Sequence, residues 1–167
     1  MEHRKDTQKN FFSINASIFF KANHTRFEHC IGTSHLAGEF LKGLDERQKS
    51  LKITKIDEFC IRIAGLCHDL GHGPFSHLFE EVVEKINGES SWKHEMATLE
   101  LFDRMYKNEV VNEKYKTTLK QEFESYGIFE NDVQFIKDLI YCEKLKDTSL
   151  DQSYDERVIL FERPCLF

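Results

Sequence analysis

Apolar residues alternate with polar ones near the start of this chain and recur at helical spacing afterwards. Over residues 11–20 the apolar side chains fall at every second position, which predicts a strand or hairpin arm. From Thr25 onward the spacing becomes helical, and a stripe from Leu36 to Leu44 predicts a first helix with His29 near its first turn. The pattern predicts an all-α fold with one short extended arm at the N-terminus.

Two further predicted helices flank a short segment rich in histidine and glycine. Residues 59–67 are apolar on nearly all sides, which predicts a central buried helix that begins after Thr54 and stops before Gly71. Pro74 is well placed to open the next helix, which carries the clearest amphipathic stripe of the chain. That stripe consists of Phe75, Leu78, Phe79, Val82, Val83 and Ile86.

Helical spacing returns twice more in the second half of the chain. Ser91 can cap a helix whose apolar positions run to Tyr106, and a polar stretch follows over residues 107–120. Another helix is predicted from about Asp132 to Ile140. The sequence therefore predicts five helices joined by polar segments.

Length and composition indicate one domain with an aromatic-rich interior. The chain has 167 residues, of which 40% are hydrophobic, and it contains fifteen Phe but only two Pro. Because the last residues, Leu166 and Phe167, are apolar, we expect a fragment or shortened form whose missing part packs on this end.

Charge and cysteine content limit the partners and the compartment. A net charge of −6 gives no overall basic surface for nucleic acid, so a polyanionic substrate would need a metal ion and local cations. Five Cys without a Cys-x-x-Cys pair favour a reducing compartment. No segment resembles a signal peptide or a membrane span, and we expect an intracellular, soluble protein.

The segment Cys67–His77, with the sequence CHDLGHGPFSH, concentrates the candidate chemistry. Imidazole and carboxylate groups suit Mn, Fe, Zn or Mg, and the glycines let the backbone approach a ligand closely. His68 and Asp69 end a buried helix, where a divalent cation would satisfy both groups at once. The alternative is a helix-end histidine that bonds a backbone carbonyl beside a capping aspartate.

Arg26 and His29 supply a second set of candidate residues some forty positions earlier. They lie one helical turn apart, so both can face one cavity, where the guanidinium could bind phosphate oxygens. The alternative is a surface arginine and a capping histidine. Cys30 and Cys67 each neighbour a candidate ligand and suggest a zinc site. Adjacent helical residues point about 100° apart, however, so we expect these thiols to face the core.

His77 and His94 each lie in the first turn of a predicted helix, where the helix terminus favours anions. His77 points away from the apolar stripe, so packing does not explain it. Glu80, one turn further along, could orient the His77 imidazole, which suits a general acid that protonates a leaving oxygen. His94 could contact a phosphate. For both histidines the alternative is a solvated surface side chain.

The motifs His24–His29 and Ala64–His77 resemble the HD-domain superfamily of metal-dependent phosphohydrolases. They are most similar to the SAM-and-HD-domain-containing deoxynucleoside triphosphate triphosphohydrolases. The similarity extends from about residue 18 to residue 167 and weakens after Glu95. The resemblance therefore divides the chain into a divergent N-terminal segment, residues 1–17, and an HD domain, residues 18–167. The resemblance implies an all-helical HD-domain bundle, here incomplete at its C-terminal end.

By this resemblance, His29, His68 and Asp69 are ligands of one divalent metal ion. The family's fourth ligand is an aspartate in a later Asp-x-Asp-Lys-Trp-Asp-type helix, and this chain ends before any such motif. No matching context surrounds the later aspartates Asp147, Asp151 and Asp155. We therefore expect three of the four ligands in this chain.

The same resemblance makes His72 and His94 contacts of the substrate phosphates and places Arg26 in the nucleotide pocket. It makes His77 the catalytic acid, and we include Glu80 in the catalytic group as its partner. The family cleaves a deoxynucleoside triphosphate (dNTP), dGTP included, to a deoxynucleoside and intact triphosphate. The resemblance also implies a location in the nucleus or cytoplasm and a possible homo-oligomer.

Two other functions stay open at this point. The chain could be a shortened, non-catalytic isoform or homologue that acts as a binding or oligomerisation fragment, because one metal ligand is missing. It could also be a phosphodiesterase that acts on other nucleotides. Near-stoichiometric metal after dialysis would favour an enzyme over the non-catalytic form.

Overall fold

The computed structural model describes residues 25–88, 92–107 and 117–141, and these residues form six α-helices. The helices are Arg26–Arg47 (α1), Lys55–Cys67 (α2), His77–Asn87 (α3), His94–Lys107 (α4), Leu119–Ser125 (α5) and Glu130–Ile140 (α6). A short 3₁₀ turn, Lys49–Leu51, follows α1. No strand occurs within the described residues, so the all-α prediction is confirmed. The arm predicted over residues 11–20 and the cap predicted at Ser91 lie outside them.

Capping boxes begin α1 and α2. The Thr25 hydroxyl accepts a hydrogen bond from the Glu28 N–H at 3.1 Å, and the Glu28 carboxylate accepts from the Thr25 N–H at 2.6 Å. Thr54 and Asp57 repeat this arrangement at the start of α2, which confirms the predicted N-cap. The cap at Thr25 fixes where α1 starts and so puts Arg26 into its first turn.

Helix α2 is the central helix of the core, as its apolar sequence predicts. Cys60, Ile61 and Ala64 are fully buried, and α2 packs chiefly against α1 and α6. The start of α1 lies beside the end of α2, since His29 is 3.3 Å from Asp69. These two helices therefore run antiparallel, and their packing brings the two sequence motifs together.

Helix α3 begins three residues later than predicted. Pro74 does not open the helix, because Phe75 and Ser76 adopt φ values of 67° and 56° and the helix starts at His77. These left-handed conformations are unfavourable for residues other than glycine. Ser76 is held by its N–H bond to the Gly73 carbonyl at 3.1 Å and by a side-chain bond from Arg26.

The apolar stripe of α3 is largely exposed in the described structure. Leu78, Val82 and Ile86 are 54%, 43% and 77% exposed, although the amphipathic pattern predicts a face packed on the core. Phe79 is an exception, because its ring packs edge-on against Trp92 with 5.3 Å between the ring centroids. The described part of the chain thus leaves most of this face uncovered.

Two elements differ from the prediction in the second half of the chain. Helix α5 falls partly within the stretch predicted to be polar and was not expected, and Thr118 caps it by accepting from the Gln121 N–H at 3.1 Å. Helix α6 begins at Glu130, two residues before the predicted start. In the ranges that the structure covers, no helix is both long and apolar enough to cross a membrane.

Candidate metal and phosphate site

Asp69 lies at the centre of the site, and its two carboxylate oxygens contact four side chains. Oδ2 is 3.1 Å from Arg26 Nη1 and 3.3 Å from His29 Nε2. Oδ1 is 3.2 Å from His68 Nε2 and 3.5 Å from His72 Nε2. A carboxylate that is mostly buried requires such partners, because desolvation penalises its charge. The structure therefore joins residues from both sequence motifs around one acid.

The three predicted metal ligands, His29, His68 and Asp69, come together with their ligand atoms within 4.8 Å of one another. His68 Nδ1 lies 2.8 Å from the Gly65 carbonyl oxygen. Because a carbonyl only accepts, Nδ1 is the donor of this hydrogen bond, and Nε2 lies on the side of Asp69.

This arrangement fits a divalent cation. Nδ1 of His68 is engaged by the Gly65 carbonyl, so Nε2 of His68 and Oδ1 of Asp69, 3.2 Å apart, can both serve as ligand atoms. Two ligands of one metal ion are about 3.0–3.4 Å apart when each bond is about 2.1 Å long. The backbone bond of His68 is also the usual outer contact that orients a metal-bound histidine.

Three histidine rings form a cluster beside these ligands, and we call His72, His77 and His94 the histidine cluster. The rings of His72 and His94 stack with their centroids 3.7 Å apart and 8° between their planes. The His77 ring is nearly perpendicular to both, at 5.0 Å from His72 and 5.4 Å from His94. The structure thus brings together all three histidines that the sequence marked for phosphate binding and catalysis.

His72 is the buried member of the histidine cluster. Its side chain is 4% exposed, and its Nδ1 is a buried polar atom without a hydrogen-bond partner among the described residues. Burial, together with the nearby His94, lowers the pKa of His72 to about 4, so the ring is neutral at pH 7. A buried nitrogen without a partner costs free energy, which a bound ligand atom could recover.

Glu80 connects α3 to the start of α4 through His94. Its Oε1 accepts from the His94 ring Nδ1 at 2.5 Å and from the His94 backbone N–H at 3.0 Å. Its Oε2 lies 3.5 Å from Nδ1 of His77. Burial raises the pKa of Glu80, but the hydrogen bonds from His94 outweigh it, and the net pKa is lowered. The sequence paired Glu80 with His77, whereas the structure pairs it more closely with His94.

Two residues of the site, Ser76 and Thr98, were not predicted from the sequence. Ser76 accepts a hydrogen bond from Arg26 Nη2, so the guanidinium is held between Ser76 and Asp69. Thr98 is fully buried, and its hydroxyl bonds the backbone of the turn that follows α2. The presence of Ser76 inside the His-rich segment was a weak signal for its role. For Thr98 the only signal was its position one helical turn after His94.

The cysteines next to the candidate ligands stand apart from the metal-ligand groups. Cys67 is buried, and burial together with the nearby Cys30 raises its pKa to about 11. Burial and the charge of Asp69 likewise raise the pKa of Cys30. Within the described ranges, no group of potential metal ligands includes a cysteine.

The helical bundle and its histidine–aspartate group define an all-α domain with a candidate divalent-metal site at the meeting point of α1 and α2. The family described as HD domain matches residues 26–140, and the chain belongs to this family. The match covers Arg26–His29 of the first motif, the whole second motif and all six helices, which confirms the resemblance inferred from the sequence.

Several relatives carry the name deoxynucleoside triphosphate triphosphohydrolase SAMHD1. The protein from Gallus gallus is 42% identical over 142 residues, which cover 84% of this chain and 22% of that protein. The protein from Homo sapiens is 39% identical over 125 residues, or 74% of this chain and 19% of its own length. A homologue from Dictyostelium discoideum is 46% identical over 86 residues, which cover 52% and 17%. The chain spans about a fifth of the length of these curated relatives.

Proposed function

We propose that this chain is the metal-binding helical part of a dNTP triphosphohydrolase, which converts a dNTP and water to a deoxynucleoside and triphosphate. The observation that carries the proposal is the grouping of His29, His68 and Asp69, with ligand atoms within 4.8 Å, beside the histidine cluster. The names of the relatives supply the substrate class, and dGTP is the first substrate to test.

His29, His68 and Asp69 would hold one divalent ion of Mn, Fe, Zn or Mg. When bound, such an ion polarises a phosphate and lowers the pKa of a water molecule. Arg26 contacts Asp69 at 3.1 Å, so a phosphate that reaches these ligands also comes within reach of the guanidinium. Arginine binds phosphate oxygens through two parallel hydrogen bonds, which would orient the substrate.

The histidine cluster supplies groups of different charge and exposure. His72 is neutral and buried, so it can hydrogen-bond a phosphate oxygen without adding a full charge. His94 gives its Nδ1–H to Glu80, which leaves Nε2 for the substrate. The His77 side chain is 72% exposed and can exchange protons with solvent, as a general acid must do in each turnover. We therefore assign phosphate binding to His72 and His94 and the acid role to His77.

Turnover of dGTP tests this proposal directly. The purified chain with dGTP and Mn²⁺ should release deoxyguanosine and triphosphate, measured by chromatography. His68→Ala should abolish this release, because it removes a ligand whose ring is already oriented by Gly65. His35→Ala, an exposed histidine on α1, is the matched control and should retain turnover. Equal turnover in wild type and His68→Ala would contradict the site assignment.

Metal analysis after dialysis gives an independent result. We expect near-stoichiometric metal in the wild type and in His35→Ala, and loss of metal in His68→Ala. Neither metal nor turnover in the wild type would instead favour the non-catalytic binding fragment. Side-by-side turnover of cyclic dinucleotides tests the phosphodiesterase alternative. Nuclear or cytoplasmic location, homo-oligomer formation and domain bounds of 18–167 belong to the same proposal.

A further inference from the structure

Thr98 is a fully buried polar residue on α4, one helical turn after His94. Its hydroxyl accepts a hydrogen bond from the Gly71 N–H at 2.8 Å and donates one to the His68 carbonyl oxygen at 3.0 Å. These two backbone groups stand at the two ends of the turn that carries Asp69. One hydroxyl therefore fastens both ends of the ligand-bearing turn to α4.

Gly71 brings the same turn into direct backbone contact with α4. A methyl group at this position would overlap the His94 carbonyl oxygen, the Ala97 carbonyl carbon and the Thr98 nitrogen. No side chain of Gly71 separates the turn from the helix, so nothing flexible can absorb a change in their spacing. The backbone contact and the Thr98 hydroxyl act at the same place.

We propose that Thr98 is a positioning residue that sets the spacing between the candidate metal ligands His68 and Asp69 and the histidine cluster on the other side of the turn. This inference rests on the proposed function, since it assumes that both groups act on one substrate. Thr98 itself contacts only backbone groups of the turn and acts through them.

The spacing matters because the two groups work on different atoms of a triphosphate ester. His29, His68 and Asp69 would hold the ion beside one phosphate, whereas His94 would bind a phosphate oxygen and His77 would protonate the leaving oxygen. The metal ligands are oriented by the packing of α1 on α2 and by the Gly65 carbonyl, neither of which involves Thr98. Loss of the Thr98 hydroxyl should therefore spare metal binding and impair turnover.

The test compares Thr98→Val with Thr98→Ser. Valine has nearly the shape of threonine but cannot bond the turn, whereas serine keeps the hydroxyl. We expect Thr98→Val to lower kcat for dGTP by about tenfold to a hundredfold, since a misplacement of about 1 Å can have that effect. KM and the metal content after dialysis should change much less. Thr98→Ser should restore most of kcat.

Ile136→Val controls for a general loss of stability. Ile136 is fully buried on α6, which contributes none of the site residues, and this variant should keep the wild-type kcat below its unfolding temperature. Equal loss of kcat in Thr98→Val and Thr98→Ser would overturn the proposal, because packing alone would then explain it. Wild-type kcat in Thr98→Val would also overturn it.

A second measurement does not depend on turnover. With Mn²⁺ bound, the paramagnetic relaxation of an isotope-labelled His94 ring reports its distance from the ion. Thr98→Val should change this relaxation and Thr98→Ser should not. If the wild type has no turnover but the relaxation still responds to Thr98→Val, the proposed function fails and the positioning role stands. Unchanged relaxation in Thr98→Val overturns the positioning role, and a wild type that binds no Mn²⁺ overturns both.

Discussion

The Glu80 carboxylate contacts two histidines, His94 and His77. Its Oε1 fixes both the ring and the backbone of His94, and its Oε2 lies 3.5 Å from His77. The charge on Glu80 is retained at neutral pH, since its pKa is lowered by these hydrogen bonds in spite of burial. A glutamine at this position could still accept from His94 through its amide oxygen. Its NH2 group would then face His77 Nδ1, so two donors would meet.

We expect Glu80→Gln to reduce kcat for dGTP by about 10–10²-fold, because a misoriented acid–base group loses much of its contribution. The neighbouring Glu81→Gln, exposed on the same helix, removes the same charge and should leave kcat unchanged. Steady-state kinetics and metal content on both variants provide the measurement. Similar kcat values for the two variants would show that Glu80 does not organise the histidine cluster.

Gly71 and Gly32 differ in how close the neighbouring backbone lies, and only Gly71 leaves no room for a side chain. A methyl group at Gly71 would overlap the backbone of α4, whereas a methyl group at Gly32 meets nothing within 4 Å on α1. The rigid backbone of α4 cannot yield as a flexible side chain would. The same substitution should therefore have opposite effects on the free energy of unfolding at these two positions.

Gly71→Ala should lower the free energy of unfolding by about 1–3 kcal/mol, as overpacking does. Gly32→Ala should raise it by about 0.5–1 kcal/mol, because alanine loses less entropy than glycine in a helix. Urea denaturation followed by circular dichroism measures both. A stable Gly71→Ala variant would mean that the turn and α4 do not contact each other as the structure indicates.

The helices that the sequence predicted well are those whose signals are local. The caps at Thr54 and the apolar run of α2 needed only neighbouring residues to be recognised. The predicted start of α3 was wrong because Ser76 adopts a positive φ value. A hydrogen bond from Arg26, fifty residues away in the sequence, helps to hold this conformation. Helix α5 was missed because seven residues with two well-spaced apolar positions carry little periodic signal.

The residues of the candidate site also differ in whether local sequence patterns could predict them. The types and spacing of His29, His68 and Asp69 predicted that these residues lie together, and the structure brings their ligand atoms within 4.8 Å of one another. Their role as metal ligands stays a prediction. The pairing of Glu80 with His94 depends on how α3 and α4 meet, which no local pattern contains. Thr98 looks like an ordinary helical residue until the turn beside it is in place.

At the scale of the whole molecule, apolar residues of similar type are covered to very different degrees. Ile136 is fully buried in α6, whereas Ile86 is 77% exposed at the end of α3. Most of the α3 stripe shares this exposure, and the core is built mainly from α1, α2, α4 and α6. The stability of the described fold therefore depends little on the outward face of α3.

Truncation to alanine should separate these two environments. Ile136→Ala should lower the free energy of unfolding by about 2–5 kcal/mol, because it leaves a cavity in a packed interior. Ile86→Ala should change it by less than about 0.5 kcal/mol, as most exposed substitutions do. Thermal and urea unfolding of both variants provide the comparison. A large loss in Ile86→Ala would show that this face is covered in the folded chain.

The capping box at Thr25 links the order of a helix end to the affinity of the candidate metal site. Arg26 and His29 lie in the turn that Thr25 and Glu28 secure, so fraying of that turn would withdraw the proposed phosphate contact and the proposed metal ligand together. The apparent affinity of a ligand falls in proportion to the fraction of molecules in the competent conformation. The first turn of α1 would thus act as a conformational equilibrium in series with the proposed metal binding, and a bound ion would in turn favour the ordered helix end.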